Sequence, residues 1–437
     1  MSIEKILDLV KEYIDTKEEK WEAGKDWVRY SGPYMDSDEY TRAIKSLLSG
    51  WLVMGQDSIA FENKFPKHLG KKNGVLTNSG SSANLLMMSA LRSKRLWNLP
   101  KGTKVITPIA GFPTTINPII QNGFEPVFVD IELNTLNLNL DQVESAAKDG
   151  AKVLTFAHVL GNPPNMDRLM SIVDKYKLIL LEDCCDALGS TYKDQPLGSF
   201  GDFASCSFYP AHHMTMGEGG FIATKTCLQE QVVRSFREWG RGCYCIGKKA
   251  NMLKDGTCKK RFSNWIPELP DEVFDHKYIY EEIGYNLKPI ELQASIGLMQ
   301  LEKLDDIHRI RKQNFARLYN IFCKYQEYFI LPSPTYKSDP SWFAFALTVK
   351  DTAPFKRKDF TMFLEDHKIQ TRNYFAGNIA YQPAYSSIID LKSETNQFPI
   401  ANKVTTNTFF LGTSPVIKDF HIKYIDEVIT SFFRRFQ

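Results

Sequence analysis

The sequence predicts an α/β protein, a mostly parallel central sheet flanked by helices and followed by a smaller α+β C-terminal domain. Three observations carry this. Short apolar runs ("GVLT", "KVITPIA", "EPVFVDI", "KVLTFAHV", "LILLEDC") are bounded by turn residues. They are continuously apolar, as strands buried on both faces are. Helical patterns lie between them, among them "SSANLLMMSALRSKRL" and "NMDRLMSIVDKY". Finally, "ELQASIGLMQLEKLDDIHRIRKQNFARLYNIF" reads as one long helix leading out of this region. Beyond about Cys323, "WFAFALTV" reads as a strand and "KRKDFTMFLEDH" as a helix. The expected organisation is an N-terminal helical segment (1–45), a large cofactor-binding domain (46–290), and an interdomain helix with a small C-terminal domain (291–437).

At the N-terminus, Ile3, Ile6, Leu7, Val10, Tyr13 and Ile14 recur at helical spacing with charges between them. This is an amphipathic helix, not a signal peptide. No stretch reaches the ~20 apolar residues of a membrane span. The net charge of +3 gives no reason to expect nucleic-acid or membrane binding. A cytoplasmic location is expected. There, the eight cysteines read as core residues or metal ligands, not disulfides.

"TNSGSSANLL" follows a strand and opens a helix. Helix-start N–H groups and the helix dipole favour a bound phosphate. Gly80 permits close backbone approach, and Ser81 and Ser82 can add hydroxyl donors. A serine-capped turn has the same pattern. "LILLEDCCDALGS" places Glu182 and Asp183 at the carboxyl end of a strand, the edge where open α/β sheets bind ligands. A carboxylate there can hold a pyridine nitrogen protonated.

Together with "AGFPTTINPI", "HVLGNPPNMD", "SFYPAHHMTMGEGG" and "GYNLKPIELQASIGLMQL", these segments resemble, in order, the DegT-type sugar aminotransferase and dehydratase family. Its members are fold-type I pyridoxal-phosphate enzymes. The resemblance implies a homodimer and a set of roles. Gly80, Ser81 and Ser207 are the implied phosphate ligands, and Phe112 the aromatic stacked on the cofactor ring. Asp183 is the implied pyridine-nitrogen partner, and Asn286 reaches the phosphate across the dimer. Asp186, implied near the ring hydroxyl, stands where the family often has Gln or His.

In most of the family a lysine follows "SFYP" closely and tethers the cofactor. Here that slot holds His212, followed by His213. Imidazole cannot form a Schiff base, so the cofactor is expected as untethered pyridoxamine 5'-phosphate. Imidazole is a proton carrier near neutral pH, which makes His212 the candidate base. His213 either orients it or is solvated. These features fit a 3-dehydratase of a nucleotide-linked 4-keto-6-deoxyhexose.

The cysteines follow C-x57-C-x-C-x12-C at Cys185, Cys243, Cys245 and Cys258. Four thiolates suit a 2Fe-2S cluster or zinc, and scattered cysteines remain an alternative. The chain resembles the family's iron–sulfur subclass, the CDP-4-keto-6-deoxyglucose 3-dehydratases of 3,6-dideoxysugar synthesis, whose pattern is C-x57-C-x-C-x7-C. That resemblance implies the cluster, with Cys258 displaced by a longer gap, and a separate flavin- and iron–sulfur-containing reductase as electron source. Cys184, Cys206, Cys227 and Cys323 read as core or incidental. Arg372 is the candidate for the substrate diphosphate, and Trp342 reads as core. The competing readings are a cluster-free colitose-type dehydratase and a catalytically silent sugar-nucleotide sensor.

Overall fold

The apolar runs form strands that share one sheet. They are β1 (Asn73–Thr77), β2 (Lys104–Pro108), β3 (Glu125–Val129), β4 (Val153–Ala157) and β5 (Ile179–Asp183), joined by β6 (Phe203–Ser207) and β7 (Gly220–Thr224). The structure, a computed structural model, describes residues 2–18, 20–243, 261–386, 388 and 397–436. Sheet order is β1-β7-β6-β5-β4-β2-β3. β7 runs antiparallel to both neighbours, and the remaining pairings are parallel. The apolar-run reading does not pick out β6, because Ser205 and Ser207 interrupt it. Both serines are nevertheless buried.

Helices α1 (Ile3–Asp15), α2 (Ser37–Leu48), α3 (Gln56–Lys64), α4 (Gly80–Ala90), α5 (Pro113–Gln121), α6 (Leu140–Lys148), α7 (Met166–Tyr176) and α8 (Cys227–Arg237) surround this sheet. Side chains alternate across it as the strand period requires. Ile179 and Leu181 pack with α4, α5 and α8 residues, and Leu180 packs with α3 and α7 residues on the opposite face. The helix predicted to run to Leu96 ends near Leu91. There the Ser93 hydroxyl bonds the Glu282 carboxylate and accepts from Arg95 N, competing with the helical ladder.

The long predicted helix is two, α9 (Glu291–Glu302) and α10 (Leu304–Phe322). The break is Lys303, at φ −99° and ψ 0°. Its ammonium lies 2.6 Å from both Asp36 and Glu39, the capping-box pair of α2. α9 therefore packs on α2 and α3, while α10 runs along a second, antiparallel sheet. That sheet orders β8 (Phe329–Ile330), β9 (Ala344–Val349), β11 (Thr408–Gly412) and β10 (Arg372–Asn373). Helices α11 (Arg357–Asp366), α12 (Pro399–Asn407) and α13 (Asp419–Phe433) complete the C-terminal part. An apolar cluster containing Ile109, Ala211, Phe343 and Phe410 joins the carboxyl edge of the first sheet to the second. No helix among the described residues is long and apolar enough to cross a membrane.

Glu62 anchors the β1 side of the first sheet. Only 1% exposed, it accepts from Leu76 N at 3.0 Å, Arg234 at 3.0 Å and Arg237 at 2.9 Å. Burial pushes its carboxyl up, and the two guanidinium groups outweigh that and hold it below the usual carboxylate value. Removing one partner of a buried ion pair costs about 3–5 kcal/mol. Glu62→Ala should lower unfolding stability by that order, read as a lower denaturant midpoint.

Candidate active site

The carboxyl ends of β1, β2, β4, β5 and β6 open into a cleft of about 1360 Å³, closed on its far side by the second sheet. Gly80, Ser81, Phe112, Asp183, Cys185, Asp186, Ser207, His212 and Arg372 all line it. Asn286 and Cys243 do not line it, and Cys245 and Cys258 lie outside the described residues.

Strand alternation separates the two acids the sequence sets side by side. Asp183 turns toward α4 and α5, where its Oδ2 accepts from Asn84 Nδ2 and Thr115 Oγ1, both at 2.8 Å. Its Oδ1 accepts from the Cys185 amide at 3.1 Å. Glu182 turns to the other face. It pairs with His158 at 2.9 Å and accepts from the amides of Gly198 at 3.0 Å and Gly201 at 2.6 Å. Burial pushes the Glu182 carboxyl up, and the His158 contact outweighs this to hold it low. Glu182 is thus a fastening of the fold, and Asp183 is the acid presented to the cleft.

At the start of α4, Ser79 caps the helix by accepting from Ser82 N at 3.1 Å. The first-turn N–H groups of a helix have no intrahelical acceptor. A Cβ on Gly80 would stand 2.4 Å from Ser207 Cβ, so glycine is what lets the end of β6 approach this turn. Asn78, also lining the cleft, has a buried Oδ1 with no hydrogen-bond partner. Donors at a helix start and a buried carboxylate fit a phosphorylated pyridine. Phe112, 51% exposed, lines the cleft and meets Phe375 edge to face at 6.0 Å.

His212 sits on a turn after β6, its side chain 16% exposed. Its Nδ1 lies 3.5 Å from Asp186 Oδ1 and makes no hydrogen bond among the described residues. The two do not form an ion pair. Burial and the nearby Arg311 hold the imidazole down to about 4, and burial with the Asp183 charge pushes the Asp186 carboxyl up to about 7. His213 is not solvated. It is 3% exposed, and its Nε2 lies 2.7 Å from the Ser341 carbonyl.

Sequence reasoning missed Arg311. This fully buried guanidinium donates through Nη2 to the carbonyls of Ala211 at 3.2 Å and His212 at 2.9 Å, and through Nη1 to Phe343 O at 3.0 Å. The available signal was a cation within the buried stripe of α10, between Ile307 and Leu318. Asn84 and Thr115 carried no comparable signal, because what they touch is set by packing across the sheet.

Cys185 lies on the cleft wall, its thiol pushed well up by burial and by Asp183. Cys243 is buried outside the cleft. Among the described residues, His158, Glu182 and Cys184 bring ligand atoms mutually within 4.8 Å; two of the four predicted cluster cysteines, Cys245 and Cys258, lie outside the described residues. Asn286 is exposed and accepts from Lys288 Nζ at 2.7 Å. Trp342 stacks on Phe315 at 4.1 Å, in the core as expected.

Fold and cleft together define a class, and residues 33–430 match the DegT/DnrJ/EryC1/StrS aminotransferase family. The chain belongs to that family. It is 41% identical over 434 residues to the lipopolysaccharide biosynthesis protein RfbH of Salmonella typhimurium, covering 98% of each chain. It is 39% identical to the dTDP-4-dehydro-2,6-dideoxy-D-glucose 3-dehydratase of Saccharopolyspora spinosa, covering 98% of this chain and 92% of that one. Among solved structures, E. coli GDP-4-keto-6-deoxy-D-mannose-3-dehydratase with bound hydrated PLP superposes with a TM-score of 0.78 at 28% identity. That match covers 92% of this chain and 99% of the other.

Burial and the Asp183 charge push the Asp186 carboxyl up to about 7 from an ordinary 3.8. The native state therefore holds a proton the unfolded chain has released, and stability falls as pH rises through that interval. Asp186→Asn removes the penalty. It should raise the unfolding free energy at pH 8 by on the order of 4 kcal/mol at most, read as a higher denaturant midpoint, with little change at pH 4.

Proposed function

We propose that this chain is a pyridoxamine-phosphate-dependent 3-dehydratase of a nucleotide-linked 4-keto-6-deoxyhexose, with His212 as its base. One observation carries the reading: a neutral imidazole faces a cleft whose lining, among the described residues, includes no lysine. The relatives named as 3-dehydratases of keto-deoxysugar nucleotides support the substrate class. The name of the Salmonella relative supports a place in lipopolysaccharide sugar synthesis.

Pyridoxamine phosphate, when bound, would supply an amine for the sugar ketone and an electron-accepting ring for the electron pair left when a base removes a neighbouring proton. The residues of the chain do the rest. Gly80, Ser81 and Ser207 would hold the phosphate, with the Gly80 turn left open by its missing Cβ. Asp183 would hold the pyridine nitrogen protonated, its carboxylate kept in place by Asn84 and Thr115. Phe112 would cover one ring face, and Asp186 lies beside His212 on the cleft wall. His212 would take up the proton at a ring nitrogen, since a pKa of about 4 leaves it unprotonated at neutral pH. Asn286, exposed outside its own cleft, would complete the cleft of a second copy in a homodimer.

The C-x57-C-x-C spacing supports a 2Fe-2S cluster on Cys185, Cys243, Cys245 and Cys258. Electrons would come from a flavin- and iron–sulfur-containing reductase. CDP-4-keto-6-deoxyglucose is the substrate this subclass reading favours. The likeness to the GDP-mannose-derived dehydratase favours the cluster-free alternative, and an iron and acid-labile sulfide assay on anaerobically purified protein decides between them.

His212→Asn should retain pyridoxamine phosphate, measured by fluorescence after acid release. It should lower dehydration about 10²–10⁴-fold, the usual contribution of a general base. An unchanged rate removes His212 from this role. Cys243→Ala should lose iron and reductive turnover while dehydration persists. Turnover assays with CDP-, GDP- and dTDP-linked 4-keto-6-deoxyhexoses identify the nucleotide.

A further inference from the structure

The family match begins at residue 33, yet the residues just ahead of it reach the cleft. Val28 pairs in parallel with Ile369. Val28 N donates to Lys368 O at 2.7 Å, and Gln370 N donates to Val28 O at 3.0 Å. Tyr30 N donates to Gln370 Oε1 at 3.2 Å. The Tyr30 carbonyl rests on Gly412, where an added Cβ would stand 1.6 Å from that oxygen. Ser31 Oγ donates at 2.8 Å to the Ala211 carbonyl, the neighbour of His212 that Arg311 also holds. Segment 27–31 is thus a strap, bonded to the C-terminal part on one side and to the histidine loop on the other.

The strap presents one side chain to the cleft, Tyr30. The Arg372 guanidinium lies 4.2 Å from its ring centroid. Arg372 is exposed at the cleft wall and donates to its neighbour's carbonyl, Thr371 O, at 2.7 Å. No carboxylate pairs with it among the described residues. A guanidinium stacked on an aromatic face keeps its in-plane N–H groups available, and their fork matches phosphate oxygens.

We propose that Tyr30 is a positioning residue for substrate binding, which holds the Arg372 guanidinium over its ring so that its free N–H groups grip the diphosphate of the nucleotide-linked substrate. The proposal rests on the sugar-nucleotide reading of the cleft. It adds a positioning residue from outside the family-matched segment.

The test is calorimetric titration of the full-length protein with CDP, GDP and dTDP, and with cytidine, guanosine and thymidine as phosphate-free controls. The wild type should bind at least one of the diphosphates. Arg372→Gln should weaken that binding about tenfold and Tyr30→Leu about fivefold, while Tyr30→Phe stays within about twofold of wild type. The double variant Tyr30→Leu/Arg372→Gln should be no weaker than Arg372→Gln alone, because the two residues act as one unit. Nucleoside affinities should not change. Wild-type affinity in Tyr30→Leu, or losses that multiply in the double variant, overturns the proposal and leaves the sugar-nucleotide reading standing. A wild type that binds none of the three diphosphates overturns both. Should Tyr30→Leu fail to fold by thermal melting, Arg372→Lys takes its place. It keeps the charge without the flat fork and should bind at least about threefold more weakly; binding equal to wild type overturns the proposal.

Discussion

Glu182 and Asp183 are consecutive, both nearly inaccessible to solvent, and placed at the end of the strand around which the rest is arranged. Burying a carboxylate is costly unless donors surround it. Here the pleat of β5 sends the two acids to opposite faces, so each needs its own set of donors. Glu182 draws in His158 from the end of β4 and the amides of Gly198 and Gly201 from the segment before β6. Asp183 draws in Asn84 from α4, Thr115 from α5 and the Cys185 amide. Meeting the needs of these two groups fixes the loops that border the cleft and the helix that opens at Gly80. The acid at the floor of the cleft is held before any ligand arrives.

A second buried charge organises the opposite wall. Arg311 spends its donors on main-chain carbonyls of the histidine loop and of the second sheet, tying the two layers together at His212. Its positive charge adds to burial in keeping the imidazole neutral. The same guanidinium thus fixes the position of the loop and helps set the protonation state of its side chain. The pair His212 and Asp186 follows from this. Two groups that would attract each other as ions in water sit close together in forms that carry no charge at mildly acidic pH.

Much of the site was legible in the sequence because its parts are local. A strand followed by glycine and serine at a helix start, an acid ending an apolar run, and a histidine in a lysine slot each depend on neighbours within a few residues. Gly80, Ser81, Phe112, Asp183, Asp186, Ser207, His212 and Arg372 accordingly meet in one cleft. Residues whose meaning comes from distant partners were not legible. Tyr30 and Arg311 join the site from positions far from it in the chain, and no local pattern marks where they will land. The separation of Glu182 from Asp183 is a related case. Their adjacency suggested a shared edge, and the pleat alternation assigned them to different faces.

By itself the sequence determined the order of strands and helices, because apolar periodicity is a local property of the chain. It also determined the chemical kinds of side chain available at each strand end. Tertiary structure decided which strands became neighbours, where the long C-terminal helix broke at Lys303, and which donors met each buried acid. It also decided that His212 is neutral. A side chain's titration depends on the charges and solvent around it in space, and those come from chain segments that sequence distance does not relate.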